Sequence, residues 1–153
     1  MSCRYNKAVT VRAVLPEDIG VIARIEAETF SEPWSESALA LLLTEEYPAF
    51  TVCDAEGELL GYISSQRALD ELQIINLAVR APFRGRGYGR LLVDAAEEYC
   101  RKSGIVSVSL EVRVSNAPAI ALYEKCGYIR AGIRRGFYRD PREDAAVMIK
   151  NLN

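Results

Sequence analysis

The stretch from Leu72 to Lys102 constrains the fold more than any other. Leu72-Gln73-Ile74-Ile75-Asn76-Leu77-Ala78-Val79 is nearly all apolar, which predicts a strand buried on both faces. Gly85-Arg86-Gly87-Tyr88-Gly89 then breaks the pattern, and a helix follows to Lys102. In that helix Leu91, Leu92, Ala95, Ala96 and Tyr99 share one face, with Asp94, Glu97, Glu98 and Arg101 opposite. A buried strand running through a glycine turn into an amphipathic helix is a unit of α/β folds.

The flanking segments extend that reading. Val9 to Leu15 alternates as a first strand, and Pro16-Glu17-Asp18 opens a helix with Ile19, Ile22 and Ile25 at helical spacing, ending near Phe30. Ser35 is placed to cap a short second helix through Leu43. Ala49–Cys53 and Leu59–Gln66 read as strands around the turn Asp54-Ala55-Glu56-Gly57. After Ser103-Gly104, Val106, Val108, Leu110 and Val112 alternate with Ser107, Ser109, Glu111 and Arg113. Ser115 or Asn116 caps another short helix with Pro118 in its first turn, and Gly127 ends it. Strands near Tyr128–Tyr138 and Asp144–Ile149 close the order β-α-α-β-β-β-α-β-α-β-β. The expected fold is α/β, a mixed and mostly antiparallel central sheet flanked by helices, with residues 1–153 forming one domain.

Composition narrows the chemistry. The 153 residues include no histidine, so imidazole cannot activate a serine or cysteine, serve as an acid or base, or ligate zinc. Proton transfer falls to carboxylates, tyrosine, lysine, cysteine or water, and no metal is expected. Cys3, Cys53, Cys100 and Cys126 are widely separated and form no CxxC pair, which fits buried thiols rather than ligands or staples. A formal charge of −2 gives no global reason to expect nucleic-acid binding. No apolar run approaches the roughly 18 residues of a membrane span, and the first residues hold no apolar signal core. The expectation is a cytoplasmic protein without membrane contact.

The glycine turn carries an unusual charge pattern. Arg80, Arg84, Arg86 and Arg90 crowd it, and no acidic residue occurs from Leu72 to Val93. Glycines allow close backbone approach, and free amides at a helix start favour an anion. A Walker loop would need GxxxxGK before Ser or Thr, and a dinucleotide fingerprint would need a sixth-position glycine where Arg90 stands. On the glycines alone, a phosphate cradle and a solvated surface turn fit equally.

Longer motifs separate the two. Arg84 to Gly89 resembles the Gln/Arg-x-x-Gly-x-Gly/Ala loop of the GNAT superfamily of N-acetyltransferases, and it follows the strand Asn76-Leu77-Ala78-Val79 as there. The run from Leu110 through Glu111, Asn116-Ala117-Pro118-Ala119-Ile120-Ala121-Leu122-Tyr123 to Gly127-Tyr128 is similar to the RimI type, bacterial enzymes that acetylate the N-terminal alanine of a small-subunit ribosomal protein. Pro33-Trp34-Ser35-Glu36 and Arg142-Glu143-Asp144-Ala145 resemble the same group. Cys126 stands where the family usually has leucine, a conservative packing change.

The resemblance implies acetyl-coenzyme A as cosubstrate. Backbone groups of Leu77, Ala78 and Val79 would hold the acetyl-pantetheine arm. Arg84, Gly85, Arg86, Gly87, Tyr88, Gly89 and Arg90 would cradle the pyrophosphate, and Asn116 would lie near the pantetheine. It also implies Glu111 as general base, through water, and Tyr123 as general acid to the sulfur. Trp34, Glu32, Glu36 and Tyr138 are candidates to line a groove for the N-terminus of a protein acceptor, and the sequence leaves open whether Glu71 adds a second carboxylate near the amine.

Elementary acid–base chemistry fits that pair. An α-amine with a pKa of about 7.7–8.0 loses its proton at pH 7 for on the order of 1 kcal/mol, against roughly 4–5 kcal/mol for lysine. One base, one acid and an oriented thioester then suffice, with no acyl-enzyme. Two other readings remain open at this stage: the same fold acting on a small-molecule amine, and a non-catalytic acyl-coenzyme A sensor. The sensor reading leaves a paired acid and base without a purpose.

Overall fold

A computed structural model describes residues 8–153. Cys3 and the apparent lack of a signal core concern residues outside that range. Seven strands form one sheet in the order β1-β2-β3-β4-β5-β7-β6: β1 Thr10–Ala13, β2 Ala49–Cys53, β3 Leu59–Ala68, β4 Glu71–Val79, β5 Ser107–Arg113, β6 Ile129–Arg139 and β7 Arg142–Asn151. Every neighbouring pair is antiparallel except β4 and β5, which run parallel. The crossover between those two strands is helix α3, Tyr88–Ser103, as parallel pairing requires. The other helices are α1 Ile19–Thr29, α2 Glu36–Leu39 and α4 Ala117–Lys125. Both the element order and the α/β class match the sequence expectation. None of the helices among the described residues is long and apolar enough to cross a membrane.

Two cores cover the sheet. One packs Leu92, Val93, Ala96 and Cys100 of α3 and Ile120 and Tyr123 of α4 onto Leu72, Ile74, Val108 and Leu110. The other packs Ile22 and Ile25 of α1 and Leu39 of α2 onto Tyr62 and Ala78. Each fully buried large aliphatic side chain contributes on the order of 1.5–3 kcal/mol. The local signals in the sequence are realised in the caps. Ser35 Oγ accepts from Ala38 N at 3.1 Å, Asn116 Oδ1 accepts from Ala119 N at 3.3 Å, and Pro118 sits in the first turn of α4.

Three expectations need correction. The buried stripe of α3 is Leu92, Val93, Ala96, Glu97 and Cys100, while Leu91 is 38% exposed. A charged residue at position 97 makes the stripe look rotated in the sequence. In the fold Glu97 is buried because Tyr128 Oη donates to it at 3.0 Å and Lys150 Nζ at 2.8 Å, so its charge is paired and hydrogen-bonded. Val106 lies outside β5 and is exposed, since the strand begins at Ser107. Lastly, β4 is not buried on both faces: Leu72, Ile74 and Ala78 are buried, but Ile75, Asn76, Leu77 and Val79 are only half-buried. The cause lies in how β4 leaves its neighbour.

Candidate active site

β4 and β5 pair only through Glu71↔Ser107, Leu72↔Val108, Gln73↔Ser109 and Ile74↔Leu110. Beyond that last rung, Asn76 to Val79 still pair with β3, and Glu111 to Arg113 still pair with β7, yet not with each other. At the same place β4 bulges. Ile74 pairs with Ser65 and Asn76 with Ser64, leaving Ile75 as the extra residue. The bulge reverses which side chains face α3 and bends the strand away. The β5-facing edge of β4 therefore carries backbone amides and carbonyls with no strand partner, inside an open cavity of about 1170 Å³.

One wall of that cavity is the glycine turn. Gly85 and Gly87 have φ of 78° and 87°, a region closed to most side chains, and Gly87 is the N-cap of α3. The amides of the first turn of α3 have no carbonyl a turn earlier to bond, so they are free for an anion, with the helix dipole in support. Arg84, Gly85, Gly87, Tyr88, Gly89 and Arg90 line the cavity together with Leu77, Ala78, Val79 and Asn116. Arg84 Nε donates to Val79 O at 2.8 Å, tying the turn to the end of β4. Arg86 is the expected loop residue that does not line the space; its guanidinium lies 5.7 Å from the Phe83 ring centroid instead. The residues present thus suit a pyrophosphate at the turn and an amide-bearing arm between the parted strands.

Glu111 and Tyr123 line the same cavity, from β5 and α4. The Glu111 side chain is 11% exposed; its Oε1 accepts from Gln73 Nε2 at 2.6 Å, and its Oε2 forms an ion pair with Arg134, whose Nε lies 3.0 Å away. The Tyr123 ring packs edge-on to Tyr128 at 5.4 Å between centroids. Burial pushes the Tyr123 hydroxyl well above the usual tyrosine value, with Cys126 and Tyr138 adding to it, so it stays protonated around neutral pH.

The far end of the cavity is made by Phe30, Glu32, Trp34, Phe137 and Tyr138. Of the four groove candidates, Trp34, Glu32 and Tyr138 reach it, whereas Glu36, the first residue of α2, does not. Glu71 lies at the paired end of β4, outside the cavity.

Two residues of this end escape a sequence reading. Arg113 stacks its guanidinium 4.3 Å from the Tyr138 ring centroid and bonds Glu143 Oε1 (3.1 Å), Asp140 O (3.0 Å) and Pro141 O (2.9 Å). It thereby fixes the β6–β7 turn over the site. Burial pushes the Tyr138 hydroxyl up to about 12, against the lowering effect of Arg113. Glu26, fully buried on α1, accepts from Trp34 N at 2.8 Å, from Asn76 Nδ2 at 2.8 Å and from the Tyr62 hydroxyl. It holds the Phe30–Trp34 wall against β4. The only sequence hint is a glutamate following Ile22 and Ile25 on an inward face.

The chain and its fold have known relatives. Residues 20–128 match the family described as the acetyltransferase (GNAT) family, more than half of the chain. A Bacillus subtilis (strain 168) protein provisionally named ribosomal protein bS18-alanine N-acetyltransferase is 39% identical, over 94% of this chain and 95% of its own length. The Escherichia coli (strain K12) ribosomal protein bS18-alanine N-acetyltransferase is 36% identical, over 91% of this chain and 95% of its own. The crystal structure of the ribosomal-protein-S18-alanine N-acetyltransferase from Escherichia coli superposes with a TM-score of 0.86 at 34% identity, covering 95% of each chain.

Proposed function

Because the chain belongs to the acetyltransferase (GNAT) family, we propose that it moves the acetyl group of acetyl-coenzyme A onto the N-terminal α-amine of a protein, and that its acceptor is the N-terminal alanine of ribosomal protein bS18. The relatives named for that activity align over almost the whole chain, which supports the acceptor. The observation that carries the reading is one continuous cavity. It runs from the Gly85–Arg90 turn, between the parted β4 and β5, past Glu111 and Tyr123, to the aromatic wall of Trp34 and Tyr138. Every strand of residues 8–153 belongs to one sheet, which supports a single catalytic domain, and an acceptor that is itself a ribosomal protein supports a cytoplasmic enzyme.

Acetyl-coenzyme A, a substrate here, supplies the activated thioester. The free amides of Gly87 to Arg90 and the nearby Arg84 and Arg90 hold its pyrophosphate, while the unpaired edge of Leu77 to Val79 orients its arm. Glu111, through a water, takes the proton of the acceptor ammonium and frees its lone pair for attack. Tyr123 then stabilises charge on the leaving sulfur. Because burial holds its proton tightly and a thiol has a pKa of about 8.5, Tyr123 acts mainly as a hydrogen-bond donor, with full transfer uphill. The C–S bond breaks to release coenzyme A as its thiolate, and the second proton shed by the new amide nitrogen passes through water to that sulfur. The aromatic wall and Glu32 receive the first residues of the acceptor.

A cellular test is direct. Mass spectrometry of protein N-termini, with and without the gene, should show N-acetylated alanine on bS18 only when the protein is present. Unchanged bS18 with lost acetylation of a polyamine or other small amine would move the assignment to that acceptor class.

A further inference from the structure

The Glu111 carboxylate is gripped from both sides by residues that do not line the cavity. Gln73 Nε2, from β4, lies 2.6 Å from Oε1, and Arg134 Nε, from β6, lies 3.0 Å from Oε2. We propose that Gln73 and Arg134 are positioning residues that fix Glu111 for proton removal from the acceptor amine, an inference that rests on Glu111 being the base.

A glutamate has three rotatable bonds, and a base must sit within about 2.6–3.2 Å of its proton or reach it through one water. Unheld, the side chain samples rotamers that miss. Engaging each oxygen once leaves part of the carboxylate's roughly four acceptor sites free for water or amine. Gln73 is neutral, so it orients the group without changing its charge. Its bond also crosses from β4 to β5 beside Ile74↔Leu110, the last paired rung before the strands separate. The same contact therefore sets the base relative to the lip of the cleft that receives the thioester. Arg134 reaches Glu111 from two strands away, across β7. The β6–β7 register shifts on both sides of it, between Arg130 and Gly132 and between Arg134 and Tyr138, which aims the side chain. The Arg134 side chain is 62% exposed, so the ion pair adds little to folding stability, and its loss leaves a folded enzyme.

The test is a double-mutant cycle on the full-length enzyme, with an alanine-starting peptide and acetyl-coenzyme A. Gln73→Leu should lower kcat about tenfold and Arg134→Gln less than that, with KM for acetyl-coenzyme A unchanged. In a Glu111→Gln background neither change should lower kcat further. If Gln73→Leu and Arg134→Gln keep wild-type kcat while Glu111→Gln loses it, the positioning inference fails and the base assignment stands. Equal losses in both backgrounds would mark a general structural role and also overturn it. A Glu111→Gln enzyme with wild-type kcat would remove the base itself.

Discussion

The two ends of the cavity are built by different means. At the proposed cofactor end, the lining is backbone: two glycines at positive φ, free amides at the start of α3, and a strand edge left unpaired beyond the bulge at Ile75. At the proposed acceptor end, the lining is side chains from distant segments, Phe30 and Trp34 after α1 and Phe137 and Tyr138 on β6, held by the buried Glu26 and by Arg113. Backbone recognition fixes one ligand and tolerates side-chain change around it. Side-chain recognition can be retuned one residue at a time, so a shared fold can serve different amines.

If that division is real, mutations at each end separate cleanly in kinetics. The largest effect belongs to the centre: Glu111→Gln should reduce kcat by about 10²–10⁴ while acetyl-coenzyme A affinity by calorimetry is unchanged. Next, Gly87→Val forces a β-branched residue to φ 87°, at a cost of about 1–3 kcal/mol. The turn should respond by changing shape, weakening acetyl-coenzyme A binding about tenfold or more whatever the acceptor. Trp34→Ala should do the reverse, raising KM for an alanine-starting peptide several-fold, on the order of the 1 kcal/mol of a lost aromatic contact, with the acetyl-coenzyme A constants intact. A Trp34→Ala enzyme impaired in cofactor binding, or a Gly87→Val enzyme impaired only with some acceptors, would dissolve the distinction.

The smallest effect is in pH. The rate with peptide should rise through the amine's pKa of about 7.7–8.0 as the nucleophile loses its proton. Tyr123, raised by burial, keeps its proton past the ordinary value near 10, so no Tyr123-dependent fall should appear below that pH. An alkaline fall at lower pH that disappears in Tyr123→Phe would contradict its protonated, buried state.

The same contrast explains what the sequence revealed. The glycine turn, the caps at Ser35 and Asn116 and the alternation in β5 are local signals, so the order of elements and the place of the turn were legible from residue types and spacing, while the choice of a phosphate cradle over a solvated turn came only from the resemblance of the longer motifs. The parting of β4 from β5 was not, because an apolar run such as Leu72–Val79 looks alike whether it is sheathed or bordering a cleft. Glu97 hid the true inner face of α3 because its partners, Tyr128 and Lys150, lie far along the chain. Gln73, Arg134, Arg113 and Glu26 belong to the same class of omission. Each is an ordinary polar residue whose role comes from what the tertiary fold sets beside it, and Glu36 was overvalued for the opposite reason.

The most direct test of the account is the position of the acetyl group on a defined acceptor. A peptide with a free N-terminal alanine and an internal lysine, incubated with the pure protein and acetyl-coenzyme A, should gain one acetyl group on the α-nitrogen, located by tandem mass spectrometry. A folded protein that leaves this peptide unmodified, or that acetylates the lysine instead, would contradict it.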